Sequence, residues 1–84
     1  MSIQEAAIRE LDLSGLKCPL PVLRTRKALA DAPAGCRIRL TCTDPLTVID
    51  IPHLLQQTGD VLEDHREVDG KQVFVIRCER TLAT

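Results

Sequence analysis

Between residues 9 and 43 the spacing of apolar side chains changes twice, and this change restricts the fold more than any other feature of the chain. Arg9-Glu10-Leu11-Asp12-Leu13 alternates polar with apolar residues, the two-residue period of a strand with one buried face. Ser14-Gly15 ends it. From Pro19 to Ala32 the composition turns to Leu, Ala, Arg and Lys, all good helix formers, until Pro33-Ala34-Gly35 stops the run. On a helical projection Val22, Thr25 and Leu29 share one stripe flanked by Ala28, while Arg24 and Lys27 point away. Arg37-Ile38-Arg39-Leu40-Thr41-Cys42-Thr43 then alternates again, with Ile38, Leu40 and Cys42 inward. A strand, a helix and a strand in succession form a crossover between parallel strands.

The second half adds one more helix and a hairpin. Asp44-Pro45 reads as an N-cap and a first helical residue. Pro52, lacking an N–H, is expected to interrupt any helix running on from Pro45, leaving a short turn over 45–50 and a second start near Asp50. Ile51, Leu54 and Leu55 give that second segment an apolar face, and Thr58-Gly59 closes it. Val61 to Val68 and Lys71 to Glu79 flank Asp69-Gly70, a pair that tolerates positive φ in a two-residue hairpin turn. The first of these strands is heavily charged and suits a sheet edge. In the second, Phe74, Ile76 and Cys78 share one face and Val73 and Val75 the other. The expected fold is an α/β two-layer sandwich of order β-α-β-α-β-β, a four-stranded mixed sheet with two helices on one face. All 84 residues are expected to form one domain, with a core from about 9 to 80.

Composition narrows the function. Hydrophobic residues make up 44% and charged residues 27%, so the chain has the means to fold, but Phe74 is its one aromatic and the core must be aliphatic. Without aromatic stacking platforms, and with a formal charge of −1, direct nucleic-acid binding is not expected. Residues 1–40 carry seven Lys/Arg against four Asp/Glu, and residues 41–84 four against eight, which reads as two solvated surfaces of opposite sign. No apolar run approaches the ~20 residues that span a bilayer, and Met1 to Ala7 has no basic stretch leading into an apolar segment. The expected location is the cytoplasm, with no membrane partner. In that reducing compartment four cysteines are reactive, metal-bound or buried rather than disulfide-bonded.

Position separates the four thiols. Cys18 lies one residue before the expected helix, where it would be the N-cap, facing the unpaired N–H groups and positive end of the helix dipole. Both favour a thiolate, and Lys17 acts in the same direction. A free thiol is only about 3% ionised at pH 7, so even a small lowering of its pKa raises the reactive fraction several-fold. Pro19 at the first helical position costs no hydrogen bond, and Pro21 leaves the Leu20 N–H as the main donor near the sulfur. Cys42 and Cys78 fall on inward faces of strands and read as core. Cys36, after Gly35 in a turn, is left open between an exposed second thiol and a buried one. The four Cys with His53 and His65 lack the close ligand pairs of a zinc site, so no metal is expected. Asp44 and Asp50, next to prolines and helix starts, are explained as caps rather than as a catalytic carboxylate pair.

The segment Leu11-Asp12-Leu13-Ser14-Gly15-Leu16-Lys17-Cys18-Pro19-Leu20-Pro21 resembles the D-x-x-G-x-x-C-P-x-P signature of the TusA/SirA-like sulfur-carrier proteins. Asp44-Pro45 followed by Asp50-Ile51-Pro52 resembles that family's second signature. Where many relatives carry a His shortly after this second motif, the chain has Gly59-Asp60. The resemblance implies a carrier whose Cys18 accepts sulfane sulfur as a persulfide, with Lys17, Pro19 and Pro21 supporting it and no cofactor. It implies a cysteine desulfurase or a rhodanese as donor. As receiver it implies a sulfur-relay protein, such as the relay that thiolates the wobble uridine of tRNA, or a DsrE-type protein. Leu20, Leu23, Arg24, Arg26 and Lys27 are the candidate docking face. The alternative is a redox-sensing or regulatory interaction module of the same fold.

Overall fold

The computed structural model describes residues 8–79; Met1 to Ala7, with the expectation of no targeting segment there, and Arg80, at the end of the expected core, lie outside them. The elements are β1 (Ile8–Leu13), α1 (Leu20–Asp31), β2 (Arg37–Cys42), α2 (Thr47–Thr58), β3 (Val61–Val68) and β4 (Lys71–Arg77). The strands form one sheet of order β1-β2-β4-β3. β1 pairs parallel with β2, and β4 pairs antiparallel with both β2 and β3. This is the expected topology. Its hairpin turns on Asp69 (φ 52°) and Gly70 (φ 80°), the two consecutive positive-φ positions that a turn following the strand twist requires.

Period-2 patterning places Leu13, Ile38, Leu40, Cys42, Phe74, Ile76 and Cys78 in the core, where Leu29 of α1 and Ile51, Leu54 and Leu55 of α2 meet them. Phe74, Leu40 and Ile76 are 0% exposed. The stripe expected on α1 is present at Thr25 and Leu29, with Val22 and Ala28 partly buried beside it. Cys36 is resolved as core at 5% exposure, and its carbonyl accepts the Cys78 N–H at 2.8 Å.

The expected break at Pro52 is overturned: α2 runs unbroken from Thr47 through Pro52 to Thr58. The turn before it already donates Thr47 N to Asp44 O (3.1 Å), Val48 N to Pro45 O (3.2 Å) and Asp50 N to Leu46 O (2.9 Å), so the helix is nucleated before the proline is reached. An interior proline costs roughly 3 kcal/mol, whereas burying Ile51, Leu54 and Leu55 contributes about 1.5–3 kcal/mol each. Burial therefore wins. Gly59, in the left-handed region at φ 86°, ends the helix and donates its N–H to Leu55 O at 2.9 Å.

On the uncovered sheet face the register sets Arg37 directly opposite Arg77, a repulsive pair. The ladder of β3 skips Glu63 between Leu62 and Asp64, and this extra residue bridges both guanidinium groups, at 2.6 Å to Arg37 Nε and 3.0 Å to Arg77 Nη1. Hydrogen bonding from Arg37, aided by the charges of both arginines, holds the Glu63 carboxyl below the usual carboxylate range.

Leu40, on an interior strand and fully buried, is the position at which a cavity tests this packing. Leu40→Ala is expected to cost about 2–5 kcal/mol. The measurement is a urea melt, in which the midpoint falls while the slope stays near the wild-type value.

Candidate functional site

Because β1 and β2 are parallel, with Leu13 opposite Cys42, the loops leaving their carboxyl ends start side by side. The two loops are then tied together. Gly15, at φ 85°, donates its N–H to Thr43 Oγ1 at 2.8 Å, and Cys18 donates its N–H to Asp44 Oδ2 at 2.7 Å. The other oxygen of Asp44 accepts the Leu46 N–H at 3.0 Å, so one carboxylate both opens the turn into α2 and holds the backbone of Cys18. Those backbone bonds, from Leu46 and then Cys18, keep the Asp44 carboxyl below its ordinary range, with the Lys17 charge adding a smaller contribution.

Cys18 itself is exposed, and the other three cysteines are buried at 5%, 0% and 1%. For Cys42, burial pushes the thiol up to about 11. The Cys18 thiol donates to Asp50 Oδ2 at 3.7 Å, and the peptide bond that follows it, to Pro19, is cis. Beside it, a groove of about 270 Å³ runs between the helices, lined by Cys18, Pro19, Val22 and Arg26 on one side and by Asp50, His53, Leu54 and Gln57 on the other. Arg26 Nη2 donates to Gln57 Oε1 at 3.1 Å, and Gln57 Nε2 lies 3.4 Å from His53 Nε2.

The N-cap expectation is corrected here. The helix starts at Leu20, the cap position is Pro19, and no side chain caps it. The Leu20 N–H expected near the sulfur donates instead to Lys17 O at 2.8 Å. The thiol turns toward Asp50, and its pKa is raised rather than lowered. Partial shielding of the sulfur from solvent is the largest cause, followed by the Asp50 charge, the hydrogen bond to Asp50 and the Asp44 charge. Lys17 is exposed, and its charge acts on Asp44. Pro21 is fully buried, and its carbonyl accepts the Thr25 hydroxyl at 2.7 Å, anchoring the first turn of α1 to the core.

Of the candidate docking residues, Leu20 (47%), Leu23 (53%), Arg24 and Lys27 are exposed on α1, and Arg26 reaches across to α2. Leu46, Val48 and Ile49 extend the exposed apolar surface onto the start of α2, which the sequence reading had not included. Among the described residues no three His, Cys, Asp or Glu side chains cluster as a metal site would require. No helix among them is long and apolar enough to cross a membrane.

The profile of the family described as Sulfurtransferase TusA matches residues 9–78. The chain belongs to the TusA family. It is 42% identical over 69 residues to the sulfur carrier protein TusA of Allochromatium vinosum, an alignment covering 82% of this chain and 91% of that one. A putative sulfur carrier protein of Neisseria meningitidis is 43% identical over 67 residues, covering 80% and 90%. The crystal structure of a SirA-like protein from Desulfitobacterium hafniense superposes with a TM-score of 0.74 at 25% identity, over 87% of this chain and 99% of the other. The TusA-family motifs thus meet in space: the C-P-x-P segment supplies Cys18, and the D-P and D-I-P segments supply Asp44 and Asp50. Sequence reasoning treated both aspartates as caps and missed that each bonds Cys18. The signal available was the pairing of the two signatures, which places both aspartates at motif positions.

With partial loss of solvent and two carboxylates all disfavouring the negative thiolate, the Cys18 thiol ionises at a pH above that of free cysteine. The rate of alkylation by iodoacetamide, followed against pH, is expected to rise with a midpoint above about 8.5. A midpoint below that value contradicts the geometry.

Proposed function

We propose that this chain is a sulfur carrier that holds sulfane sulfur as a persulfide on Cys18, taking it from a donor protein and passing it to an acceptor protein. The observation that carries the reading is the separation of the four thiols. Cys18 alone is exposed, in the C-P-x-P segment at the mouth of a groove, in a member of a family whose matched relatives are named sulfur carriers. A sulfur that must pass between proteins needs a nucleophile that both can reach, on a rigid element that presents it. Pro19 and the core-anchored Pro21 supply the rigidity, and Lys17 sits on the exposed approach.

The donor class in this reading is a cysteine desulfurase or a rhodanese. The receiver is a sulfur-relay protein, as in wobble-uridine thiolation, or a DsrE-type protein of sulfur oxidation. Leu20, Leu23, Arg24, Arg26 and Lys27, with the exposed apolar residues at the start of α2, offer both partners a surface around Cys18. Transfer then runs from protein to protein in the cytoplasm, without a cofactor and without direct RNA contact. The one aromatic, Phe74, is wholly in the core and presents no face on which a base could stack.

The competing role, a redox-sensing module, would be served best by a second accessible thiol to form a disulfide with Cys18. Cys36, Cys42 and Cys78 are all buried, which favours the carrier reading.

Incubation with a cysteine desulfurase and cysteine is expected to add one sulfur to the intact mass of the wild-type protein and none to Cys18→Ser. A sulfur that persists on Cys18→Ser overturns the assignment of the site, and no sulfur on the wild type overturns the carrier function.

A further inference from the structure

Two carboxylates face the same cysteine, yet their bonding differs. Asp44 has both oxygens engaged by backbone N–H groups, from Leu46 at 3.0 Å and from Cys18 at 2.7 Å. Protonating it would weaken its hold on the Cys18 backbone and on the turn into α2. The side chain of Asp50, in the first turn of α2, instead takes the thiol of Cys18 at 3.7 Å. The other charged or titratable groups lining the groove beside Cys18 are Arg26 on α1 and His53 on α2, and Lys17 precedes Cys18 in the chain. Arg26 is bonded to Gln57, the ring of His53 lies against Gln57, and Lys17 acts on Asp44. None of these contacts is with the sulfur.

We propose that Asp50 is the catalytic residue that accepts the Cys18 proton as the carrier is loaded and returns a proton as it is unloaded. The inference rests on the carrier reading above. In loading, the Asp50 carboxylate takes the proton of the Cys18 thiol. The Cys18 thiolate then attacks the terminal sulfur of the donor's persulfide, R–S–SH. A bond forms between Cys18 Sγ and that sulfur, the donor's S–S bond breaks, and its electron pair leaves with the donor as RS⁻. The proton held by Asp50 passes to RS⁻, giving R–SH, and the loaded carrier is Cys18–S–SH. Nothing is oxidised or reduced overall. Unloading is the same sequence in reverse, with the acceptor's thiolate as nucleophile, Cys18 as leaving group and Asp50 as the acid that protonates it.

Paired with a carboxylate, the empty carrier is also held as the less reactive thiol, and ionisation is tied to the arrival of a sulfur to attack. Asp50 thus has two effects with opposite signs. Its charge suppresses the free thiolate, while its proton transfer speeds the exchange.

The experiment separates these effects with Asp50→Asn, using glutathione persulfide as donor so that protein docking plays no part. For the empty protein, the midpoint of iodoacetamide alkylation against pH is expected to move down, and the rate at pH 7 to rise. Persulfide loading at pH 7, followed by intact mass, is expected to slow by about a hundredfold, the lower end of what a positioned proton acceptor typically contributes. Asp50→Glu is expected to restore most of the loading rate. A role in holding the fold alone would move both rates together and would show in a urea melt of the same variant. Loading of Asp50→Asn as fast as wild type, or an alkylation midpoint that does not move, overturns the proposal and leaves the carrier reading intact. Failure of the wild type to take sulfur on Cys18 overturns both.

Discussion

Two backbone N–H groups, those of Gly15 and Cys18, are held by the side chains of Thr43 and Asp44, and the geometry of the site depends on this pair of bonds. They join the loops that follow two parallel strands, at the carboxyl ends of β1 and β2, the position at which open α/β sheets commonly assemble their sites. Once clasped, the first loop delivers Cys18 to the mouth of the interhelical groove, and the second starts α2 so that Asp50 faces the sulfur. Asp44 belongs to both loops in effect, since its two oxygens bond one backbone group in each. The exchange of strand hydrogen bonds for these side-chain bonds lets the sheet end in a defined site rather than in two independent turns.

The electrostatics of Cys18 follow from that arrangement. A cysteine at a helix N-terminus is ordinarily ionised more easily, because the dipole and the free N–H groups favour negative charge. Here the first turn of α1 directs its free donors elsewhere, and two acidic side chains approach from the neighbouring element. Loss of solvent around the sulfur, then the charge and hydrogen bond of Asp50 and the charge of Asp44, all disfavour the thiolate, so the pKa of this sequence position moves in the opposite direction. For a protein that presents an exposed thiol to successive partners, a protonated resting state limits reaction with unintended electrophiles. The burial of Cys36, Cys42 and Cys78 acts in the same direction, since it leaves one sulfur at the surface.

Away from the site, the sheet handles its uncovered face with charge rather than with a second helical layer. The extra residue in β3 sets Glu63 between Arg37 and Arg77, two cations that the strand register brings together. The charged β3 closes one sheet edge, and the partly buried Val73 and Val75 lie on the open side of β4. The helices are then confined to the other face, and the groove between them is where Cys18 emerges.

Periodicity and turn chemistry were sufficient to read the element order, the strand pairing and the inward residues, because each depends on neighbours two to four positions apart. The alternation over Arg37–Cys42, the stripe through Thr25 and Leu29, and the positive-φ turn at Asp69-Gly70 are local properties, and all three are present in the structure. Pro52 was misread for the same reason: its local cost is real, but the burial of Ile51, Leu54 and Leu55 that outweighs it comes from the sheet. Cys18 stands out in the sequence by its place before two prolines and within a family signature, and it is the exposed one of the four cysteines. Its bonding was not legible there. Asp44 and Asp50 lie 26 and 32 residues from Cys18, and nothing in their own surroundings distinguishes a cap from a partner of a thiol. The chain by itself determined which cysteine the family signature marks and what kind of scaffold holds it. Only the tertiary structure decided in which direction the ionisation of that sulfur is shifted, because the loss of solvent around it and the carboxylates of Asp50 and Asp44 come from packing that the parallel pairing of β1 and β2 brings to its side.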